Sequence, residues 1–409
     1  MKVLVADRLD PHALEELKHL GAELVYDPDV PAEALAAKLD GVGVLVVRAK
    51  RVDAFAIDAG RALHLIVRAG AGVQNIDVAA ASSRGIYVAH CPGKNAIAVA
   101  ELTMGLIVAI DRRIPDAVAQ LRAGRWERAE LARADGLFGK TLGLAGFGAI
   151  AREVATRARA FGMQVVAHGR SLNATRAGEH GVACARTLEE LASRAQILSL
   201  HLPLSSGTRG VIDARVLAAL PEHAILVNTA RAELIDEDAL AEAVVKRRLR
   251  VGVDVWQGAP ERTESKDAGS VDYRGRLFSL DGLVYGTPSI GAATSQAQAA
   301  VASETVRIVR SFLRTGDVPG CVNVCATSPA RYQMVIRCLD KVGVLANVLG
   351  VVKRHGLNVE ELSSTIFEGA IAACTKLRVT GRPSEACVSE IKAFTEVFHV
   401  DVVALPNMA

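Results

Sequence analysis

The stretch KTLGLAGFGAIA occupies residues 140–151 and combines an apolar run with two closely spaced glycines. A helical pattern follows from Arg152 to Phe161, and a second apolar run follows from Met163 to Ala167. This order of strand, glycine-containing turn, helix and strand is typical of a βαβ unit, in which both strands lie parallel in one sheet. It favours an α/β fold, because such units build parallel sheets covered by helices.

The turn GFGAIA within this stretch has the spacing of a dinucleotide-binding fingerprint. Gly146 permits a tight turn, and Gly148 lets the backbone approach a pyrophosphate. The amides of Ala149 and Ile150 lie where the helix starts, and they can donate to the negative charge of that group. Ala151 takes the third position, where the pattern tolerates alanine. These residues predict a dinucleotide cofactor.

The end of the second strand indicates which dinucleotide is bound. A carboxylate for the adenosine ribose is expected about 20 residues beyond the glycines, but the chain reads His168-Gly169-Arg170-Ser171 there. A cation with a hydroxyl and no carboxylate suits the 2′-phosphate of NADP better than the free hydroxyl of NAD. A solvated arginine in a loop that accepts either cofactor is the alternative. NADP and NAD both stay open, and Arg170 and Ser171 favour NADP.

Alternating strands and helices extend to both sides of this unit. Residues 1–95 contain apolar runs separated by helical patterns, which predicts another doubly wound unit. Residues 331–409 follow the order β-α-β-β-α-β, typical of a small ferredoxin-like module. The predicted fold class is therefore α/β: two Rossmann-like doubly wound domains with a cleft between them, and a C-terminal ferredoxin-like domain. A polar insertion is expected between Ala259 and Leu280, and a long helix from Ser295 to Thr315.

Composition excludes several classes of function. The 409 residues include 48 basic and 45 acidic ones, interspersed along the chain, so nucleic-acid binding is not expected. The longest apolar stretch, Ala96 to Ile110, is short for a membrane span and contains Glu101, so no membrane segment is expected. The seven cysteines are scattered, and the gap between Cys321 and Cys325 is not a zinc-site spacing. We expect no metal, reduced thiols and a cytoplasmic location.

Several stretches occur in the order seen in D-2-hydroxyacid dehydrogenases, and the chain resembles that family. They read RAGAGVQNID (68–77), CPGKNAIAVAEL (91–102), GKTLGLAGFGAIA (139–151), LHLPLSSGTRGVI (200–212), VNTARAELIDEDAL (227–240), GVDVW (252–256) and GTPSIGAAT (286–294). The tail from residue 331 resembles an ACT domain. Together the segments resemble the D-3-phosphoglycerate dehydrogenases that carry a C-terminal ACT domain.

The resemblance implies a domain organisation. A discontinuous substrate-binding domain would comprise residues 1–98 and 289–325, a nucleotide-binding Rossmann domain residues 99–288, and an ACT regulatory domain residues 331–409. It also implies a homodimer, or a larger homo-oligomer, held together by the nucleotide domains. Trp126 lies where the family has its dimer arm.

The resemblance also implies a catalytic set that this chain keeps only in part. Arg231 matches the family arginine that grips the substrate carboxylate and 2-oxygen. Ser289 stands where the family has a histidine that exchanges a proton with the 2-hydroxyl, and Ala259 stands where a glutamate orients that histidine. A serine hydroxyl stays protonated near neutral pH unless a neighbouring base activates it, so Ser289 cannot replace the histidine as a base.

Other groups could take over the proton transfer. His90 precedes a loop expected to face the substrate, so it is a candidate substitute base, although a hydrogen-bonded structural histidine is the alternative. A water held by Ser289 is a further candidate. Glu261 could move into the vacant glutamate position or be a surface charge. His201 matches a family histidine near the cofactor and is interpreted as structural.

Further contacts follow from the matched motifs. The amides of Ala69, Gly70 and Ala71 would bind the substrate carboxylate, as comparable glycine-containing loops bind anions. The cationic loop of Arg48 and Lys50 would bind a phosphate, although a solvated rim is the alternative. The other implied contacts are Asn95 for the substrate, and Pro203, Thr208, Thr229, Ala230 and Asp254 for the cofactor.

In the ACT-like tail, Asp340, Gly343 and Asn358 match positions that bind an amino-acid effector between paired domains. Val342 replaces the family's loop proline, and Cys338 replaces a polar contact, so feedback by serine is doubtful. A domain that serves only as a dimer interface is the alternative.

Three functional hypotheses remain open. The first is an NADP- or NAD-dependent oxidoreductase that interconverts 3-phosphoglycerate and 3-phosphohydroxypyruvate, as in serine biosynthesis, with an atypical active site. The second is a catalytically silent homologue that binds cofactor and a phosphorylated hydroxyacid as a sensor or regulatory partner. The third is a reductase of a different 2-oxo acid. All three share a small anionic 2-hydroxy or 2-oxo acid as ligand.

Overall fold

The computed structural model describes residues 1–259, 273, 275–280, 282–325 and 327–406. The chain separates into two compact units, Met1–Asn323 and Val324–Ala409. Among the described residues, no helix combines the length and the apolar character needed to cross a bilayer.

The first unit begins with five parallel strands and the helices that connect them. The strands are β1 (Lys2–Val5), β2 (Glu23–Tyr26), β3 (Val42–Val47), β4 (Leu65–Arg68) and β5 (Tyr87–His90), and the helices are α1 (Pro11–Lys18), α2 (Leu35–Lys38), α3 (Ala54–Ala59) and α4 (Val78–Ser83). The sheet order is β2-β1-β3-β4-β5. Every residue of β3 is buried, because helices cover both faces of a parallel sheet and its central strands need apolar side chains on both sides.

A second parallel sheet follows, with its own helices. Two helices and a short third one precede it: α5 (Ala96–Arg112), α6 (Ile114–Arg122) and α7 (Arg128–Leu131). Its strands are β6 (Thr141–Ala145), β7 (Gln164–His168), β8 (Ala183–Cys184), β9 (Ile197–Leu200), β10 (Ile225–Asn228), β11 (Arg250–Val253) and β12 (Val284–Gly286), and its helices are α8 (Ala149–Ala160), α9 (Ala174–Glu179), α10 (Leu188–Arg194), α11 (Ala214–Ala219) and α12 (Glu237–Lys246). The order β12-β11-β10-β9-β6-β7-β8 reverses direction at β6, which is the switch point of a doubly wound sheet.

The predicted long helix is confirmed as α13 (Ser295–Thr315). It returns the chain to the first sheet, where Val306 and Val309 share a buried cluster with Val3 and Val5 of β1. The first sheet is therefore covered by residues from both ends of the first unit.

The second unit has the predicted β-α-β-β-α-β order. Its elements are β13 (Tyr332–Leu339), α14 (Val344–Arg354), β14 (Val359–Ile366), β15 (Ala372–Val379), α15 (Glu385–Lys392) and β16 (Val397–Ala404). The four strands pair antiparallel in the order β14-β15-β13-β16, which is the ferredoxin-like arrangement. Apolar residues of β13 and α14, such as Ile336 and Val351, form its core.

One detail differs from the expectation, and another lies mostly outside the described residues. Helix α8 begins at Ala149 rather than at Arg152, so the fingerprint turn leads directly into the helix. The expected insertion between Ala259 and Leu280 lies largely outside the described residues, and its last part forms a 3₁₀ turn over Arg276–Ser279.

Candidate active site

A cleft of about 730 Å³ lies in the first unit, lined by residues of both parallel sheets. Loops that follow β1, β3 and β4 supply one wall, and loops that follow β10 and β11 supply the other. The carboxyl ends of parallel strands are where such folds bind ligands. The sequence-predicted residues that line it are Arg48, Ala69, Gly70, Ala71, Asn95, Thr229, Ala230, Arg231, Asp254 and Ser289.

The turn after β10 presents Arg231 to the cleft. The side chain of Asn228 pins this turn, since its Nδ2 donates to the Arg231 carbonyl at 2.8 Å and its Oδ1 accepts the Ala230 amide at 3.0 Å. Thr229 is held by its hydroxyl, which lies 2.9 Å from that of Thr103. The guanidinium is exposed, and its Nη1 donates to the Ala230 carbonyl at 2.7 Å. A fixed backbone thus carries a guanidinium that can bind a carboxylate bidentately.

Asp254 holds the loop that follows β12 by hydrogen bonds. Its buried carboxylate accepts the Thr287 hydroxyl at 2.6 Å and the amides of Ile290 and Gly291, each at 2.8 Å. Ser289 has a positive φ of 56°, and its hydroxyl donates to the Asp254 carbonyl at 2.9 Å. Asp254 therefore positions the loop that carries Ser289 beside the cleft.

Ala259 is exposed and is not among the described residues that line the cleft. Its amide donates to the Trp256 carbonyl at 3.4 Å. Glu261, the candidate to fill the vacant glutamate position, lies outside the described residues.

His90, the candidate substitute base, is not among the described residues that line the cleft. Its Nδ1 donates to the carbonyl of Ala71, a cleft-lining residue, at 3.1 Å. Its neighbour Lys94 pairs with Glu304 at 3.3 Å. Hydrogen bonds from Arg307 and the cation of Lys94 hold the pKa of the Glu304 carboxyl below its usual value. The structural interpretation of His90 fits this placement better than that of a substitute base.

Lys50 requires a correction as well. Its side chain is only 9% exposed, and its ammonium donates to the carbonyls of Val30 and Pro28 and pairs with Asp7 at 3.9 Å. Asp7 also accepts the amides of Arg48, Ala49 and Lys50 at 2.6, 3.1 and 3.0 Å. Lys50 thus belongs to the buried support of this loop, whereas Arg48 lines the cleft.

Two further arginines that the sequence analysis missed line the cleft beside Arg48. Arg8 follows β1, and Arg68 ends β4, where its Nε donates to the Arg48 carbonyl at 3.0 Å. Their positions after parallel strands were the available signal, because the carboxyl ends of such strands converge on one edge. The described lining therefore contains four guanidiniums, those of Arg8, Arg48, Arg68 and Arg231.

The expected carboxylate-binding amides are only partly available. The amide of Ala69 donates to Val47 and that of Gly70 donates to Arg68, each at 2.7 Å. The amide of Ala71 makes no hydrogen bond to another described backbone group. Of the three expected amides, only that of Ala71 is left without a described backbone acceptor.

The fingerprint turn fits a dinucleotide pyrophosphate. Gly146 has a φ of 93°, and a Cβ added there would lie 2.5 Å from the His201 carbonyl oxygen, so only glycine fits. A Cβ added at Gly148 would meet nothing within 4 Å, which leaves open space at the start of α8. No side chain caps α8, and the amides of Ala149 and Ile150 donate to no described backbone acceptor. Unpaired amides at a helix N-terminus suit an anion.

A matched pair of variants tests this turn. Gly146→Ala is expected to lower the free energy of unfolding by about 1–3 kcal/mol, because it forces a strained backbone against the His201 carbonyl. Gly148→Ala is expected to leave the melting temperature unchanged and to weaken cofactor binding, because its Cβ would occupy the open space. Thermal melts and calorimetric titration with NADPH and NADH measure both effects. Equal melting temperatures for the two variants would contradict this assignment.

His201 is a half-buried residue beside the same turn. Burial lowers the pKa of its imidazole to about 4, so the ring is neutral near pH 7. One ring nitrogen, Nε2, hydrogen-bonds to the Ser199 hydroxyl at 2.9 Å, and Nδ1 has no partner among the described residues. The loop beyond it is held by Thr208, whose hydroxyl donates to the Pro203 carbonyl.

Arg170 and Ser171 follow β7, at the edge where the adenosine end of a cofactor would lie. Arg170 is exposed, and its side chain makes no hydrogen bond or ion pair with another described residue. The carbonyl of Ser171 accepts Nη1 of Arg176 at 3.1 Å. These positions leave Arg170 accessible to a ligand.

The expected effector residues lie at two loops of the second unit. Gly343 has a φ of 91° and precedes α14, and the Asp340 amide donates to the Ile371 carbonyl at 2.9 Å. Asn358 donates from Nδ2 to Glu360 at 2.6 Å. Val342 is exposed and Cys338 is buried. Burial raises the pKa of the Cys338 thiol.

Comparison with known proteins places this chain in a family. Residues 104–270 match the NAD-binding domain of the D-isomer specific 2-hydroxyacid dehydrogenases. A D-3-phosphoglycerate dehydrogenase from Methanocaldococcus jannaschii is 37% identical over 374 residues, which cover 91% of this chain and 68% of that protein. A hydroxypyruvate reductase from Thermotoga maritima is 40% identical over 307 residues, covering 75% of this chain and 96% of that one.

The chain belongs to the D-isomer specific 2-hydroxyacid dehydrogenase family. A solved structure of NAD+-bound 3-phosphoglycerate dehydrogenase from Entamoeba histolytica superposes with a TM-score of 0.63 at 27% identity, covering 79% of this chain and 99% of that one. Membership confirms the expected family, the Rossmann-like domains and an oxidoreductase that uses a nicotinamide cofactor. The chain resembles the D-3-phosphoglycerate dehydrogenases of this family.

Proposed function

We propose that this protein reduces a small phosphorylated 2-oxo acid, or oxidises the matching D-2-hydroxy acid, with NADP or NAD. The observation that carries the proposal is the convergence of Arg231 with Arg8, Arg48 and Arg68 in one cleft. Four guanidiniums suit a ligand with two anionic groups, because each can bind a carboxylate or a phosphate through paired N–H donors. 3-Phosphohydroxypyruvate and 3-phosphoglycerate have this charge pattern.

Each wall of the cleft has its own role in this proposal. Arg231 binds the substrate carboxylate and polarises the 2-oxygen. Arg48 and Arg68, with Arg8, bind the phosphate, and the Ala71 amide and Asn95 complete the substrate contacts. A Cβ added at Gly93, in the loop that leads to Asn95, would lie 3.7 Å from the Ala149 Cβ. The substrate loop and the start of α8 are thus neighbours.

The cofactor would be held by residues at the carboxyl edge of the second sheet. Gly146, Gly148 and the amides of Ala149 and Ile150 bind the pyrophosphate. When bound, the nicotinamide group supplies or accepts a hydride. Thr229, Ala230 and Asp254 line the cleft, where they would orient the reacting end, and Pro203 and Thr208 shape the neighbouring loop.

NADP is the cofactor that Arg170 favours. Arg170→Asp is expected to weaken NADPH binding by about 10- to 100-fold, since a hydrogen bond to a charged group contributes about 1.5–3 kcal/mol. NADH binding should stay within a few-fold of the original. Calorimetric titration with both cofactors measures the change, with the exposed Arg215→Ala as control. Equal loss of NADPH and NADH affinity would contradict the assignment of Arg170 to the 2′-phosphate.

A steady-state assay tests the proposed substrate. NADPH and NADH oxidation is followed by absorbance with 3-phosphohydroxypyruvate and with pyruvate, which lacks the phosphate. The proposal predicts oxidation that depends on the phosphorylated acid and a KM that rises in Arg48→Ala and Arg8→Ala. Tight cofactor binding without oxidation by either acid would instead support the silent homologue. Ser289 and Ala259 stand where the family has its catalytic histidine and glutamate, and this difference favours the second candidate.

We expect a homodimer, because apolar side chains are exposed on α6 and on the segment between α6 and β6. Ile114, Val118 and Leu121 lie on one face of α6 and are exposed, and Trp126 and Phe138 are 81% and 88% exposed. An apolar surface of this kind marks a protein–protein contact.

The seven cysteines are free, which fits the reducing cytoplasm. Asp340, Gly343 and Asn358 would bind an amino-acid effector if the second unit acts as an ACT domain.

Light scattering tests this assembly. The wild-type chain is expected at twice its mass of 43.1 kDa, and Leu121→Glu with Trp126→Ser is expected to run as a monomer, because charge on the arm opposes burial. Phe55→Ser, a change at a 73% exposed aromatic residue of α3, is the control and should stay dimeric. A wild-type monomer at micromolar concentration would contradict the proposal.

A further inference from the structure

One side-chain hydrogen bond links the turn that carries Arg231 to a separate helix. The hydroxyl oxygens of Thr229 and Thr103 lie 2.9 Å apart, and Thr103 belongs to α5. Both residues are buried, Thr103 completely. Among the described residues, no other side-chain hydrogen bond connects residues 229–231 to a segment beyond the turn. The placement of the turn against α5 therefore depends on this pair of hydroxyls.

The hydrogen atoms of the pair have a defined direction. The Thr103 hydroxyl donates to the Val99 carbonyl, one helical turn earlier, at 2.8 Å. Since a hydroxyl has a single hydrogen, Thr103 accepts from Thr229 rather than donating to it. The Thr229 hydroxyl is thus held by a partner whose own orientation is fixed by the backbone of α5.

The position of Thr229 bears on the Arg231 guanidinium through the peptide between them. Nη1 of Arg231 donates to the Ala230 carbonyl at 2.7 Å, and Ala230 directly follows Thr229. The side chain of Asn228 holds the Ala230 amide and the Arg231 carbonyl, so it fixes the shape of the turn rather than its distance from α5. A shift of Thr229 would move the Ala230 carbonyl and the guanidinium that is bound to it.

Helix α5 also carries a residue from the other side of the substrate site. Its N-cap residue, Asn95, lines the cleft. The preceding Lys94 pairs with the buried carboxylate of Glu304 at 3.3 Å, which ties the start of α5 to α13. Thr103 lies about two turns beyond Asn95, or about 12 Å along the helix axis. A single helix thus extends from an expected substrate contact to the turn of Arg231.

From these contacts we infer that Thr103 is a positioning residue for the carboxylate end of the substrate. It is completely buried and lines no part of the cleft, but through Thr229 it holds the Arg231 guanidinium at a set distance from Asn95. A substrate that contacts both residues needs that distance preset, because affinity falls when only a fraction of the molecules has the binding conformation. The inference rests on the proposed function, which assigns the substrate carboxylate to Arg231.

Binding of two matched ligands tests the inference. 3-Phosphoglycerate is titrated calorimetrically into the full-length protein saturated with NADPH or NADH, a pair that cannot react because both partners are reduced. Thr103→Val replaces the hydroxyl with a methyl group and is expected to weaken this binding by about 3- to 10-fold, the loss that corresponds to one hydrogen bond. Glycerol 3-phosphate lacks the carboxylate, so its affinity should be the same for the variant and the wild type.

Two further variants separate positioning from stability. Thr103→Ser keeps the hydroxyl and should restore the affinity for 3-phosphoglycerate. Thr305→Val is the matched control, because Thr305 is also completely buried and its hydroxyl donates to the Val301 carbonyl at 2.9 Å, but it belongs to α13. This control should bind 3-phosphoglycerate as the wild type does. Thr103→Ala gives the same test if the valine variant does not fold.

Hydrogen exchange measures the turn without any ligand. The amides of Ala230 and Leu234, which donate to Asn228 and Arg231 within the turn, should exchange faster in Thr103→Val than in Thr103→Ser. Equal exchange, or an unchanged affinity of Thr103→Val for 3-phosphoglycerate, would overturn the inference and leave the proposed function intact. An equal loss for both ligands would overturn it too, by showing general damage to the site. A wild-type protein that binds no 3-phosphoglycerate would overturn both.

Discussion

Replacing Arg231 with alanine is expected to lower kcat/KM for the 2-oxo acid by about 10²- to 10³-fold, the usual loss when one preorganised donor to a reacting oxygen is removed. Asn228 fixes the backbone of this turn through its own amide side chain, so the substitution should remove the guanidinium without moving its neighbours. Steady-state kinetics and a thermal melt together measure the two effects.

Arg231→Lys and Arg215→Ala provide the controls for this prediction. The lysine variant should recover part of the lost rate, since an ammonium keeps the charge but lacks the two parallel N–H donors. Arg215 pairs with Asp213 at 3.0 Å on α11 and does not line the cleft, so its variant should behave as wild type. Full activity of Arg231→Ala with an unchanged melting temperature would remove Arg231 from the substrate site.

Restoring the family's acid and its partner is expected to have an effect of similar size in the opposite direction. Ser289→His combined with Ala259→Glu should raise turnover of the 2-oxo acid by about 10²- to 10⁴-fold, the range that general acid catalysis contributes. The positive φ of 56° at position 289 tolerates histidine better than most residues. Turnover of saturating oxo acid is the quantity to measure.

Single variants separate the two contributions in this prediction. Ser289→His alone should give a smaller gain, because no glutamate orients its ring, and Ala259→Glu alone should give none. Ser289→Ala should stay near the wild-type rate for the oxo acid, since the serine hydroxyl donates to the Asp254 carbonyl. A double variant that folds but gains nothing would show that the loss of these two residues does not limit catalysis.

The sequence predicts elements whose apolar pattern is long and regular. Strand β3, with six consecutive buried residues, and helix α13, with its bounds at Ser295 and Thr315, follow directly from the pattern. The predicted start of α8 was wrong by three residues, because GFGAIA has helix-forming residues within the fingerprint itself. Local sequence cannot show where a turn gives way to the first hydrogen-bonded helical residue.

The cleft's chemistry is less visible in the sequence, because it depends on contacts between distant segments. Lys50 seemed a phosphate ligand beside Arg48, but Asp7 and the carbonyls of Pro28 and Val30 bind its ammonium. Arg68 was not predicted as a site residue. The pairing of β3 with β4 brings its side chain to the Arg48 carbonyl. Whether a cation faces ligand or protein is decided by partners that are far away along the chain.

We propose above all that this cleft carries out hydride transfer to a phosphorylated 2-oxo acid. The most direct test is a single turnover with enzyme in excess, using deuterated NADPH or NADH and 3-phosphohydroxypyruvate. We expect slow formation of 3-phosphoglycerate with one deuterium at C2, and a further slowing of about 10²- to 10³-fold in Arg231→Ala. Bound cofactor and bound acid that yield no deuterated product after many hours would contradict it.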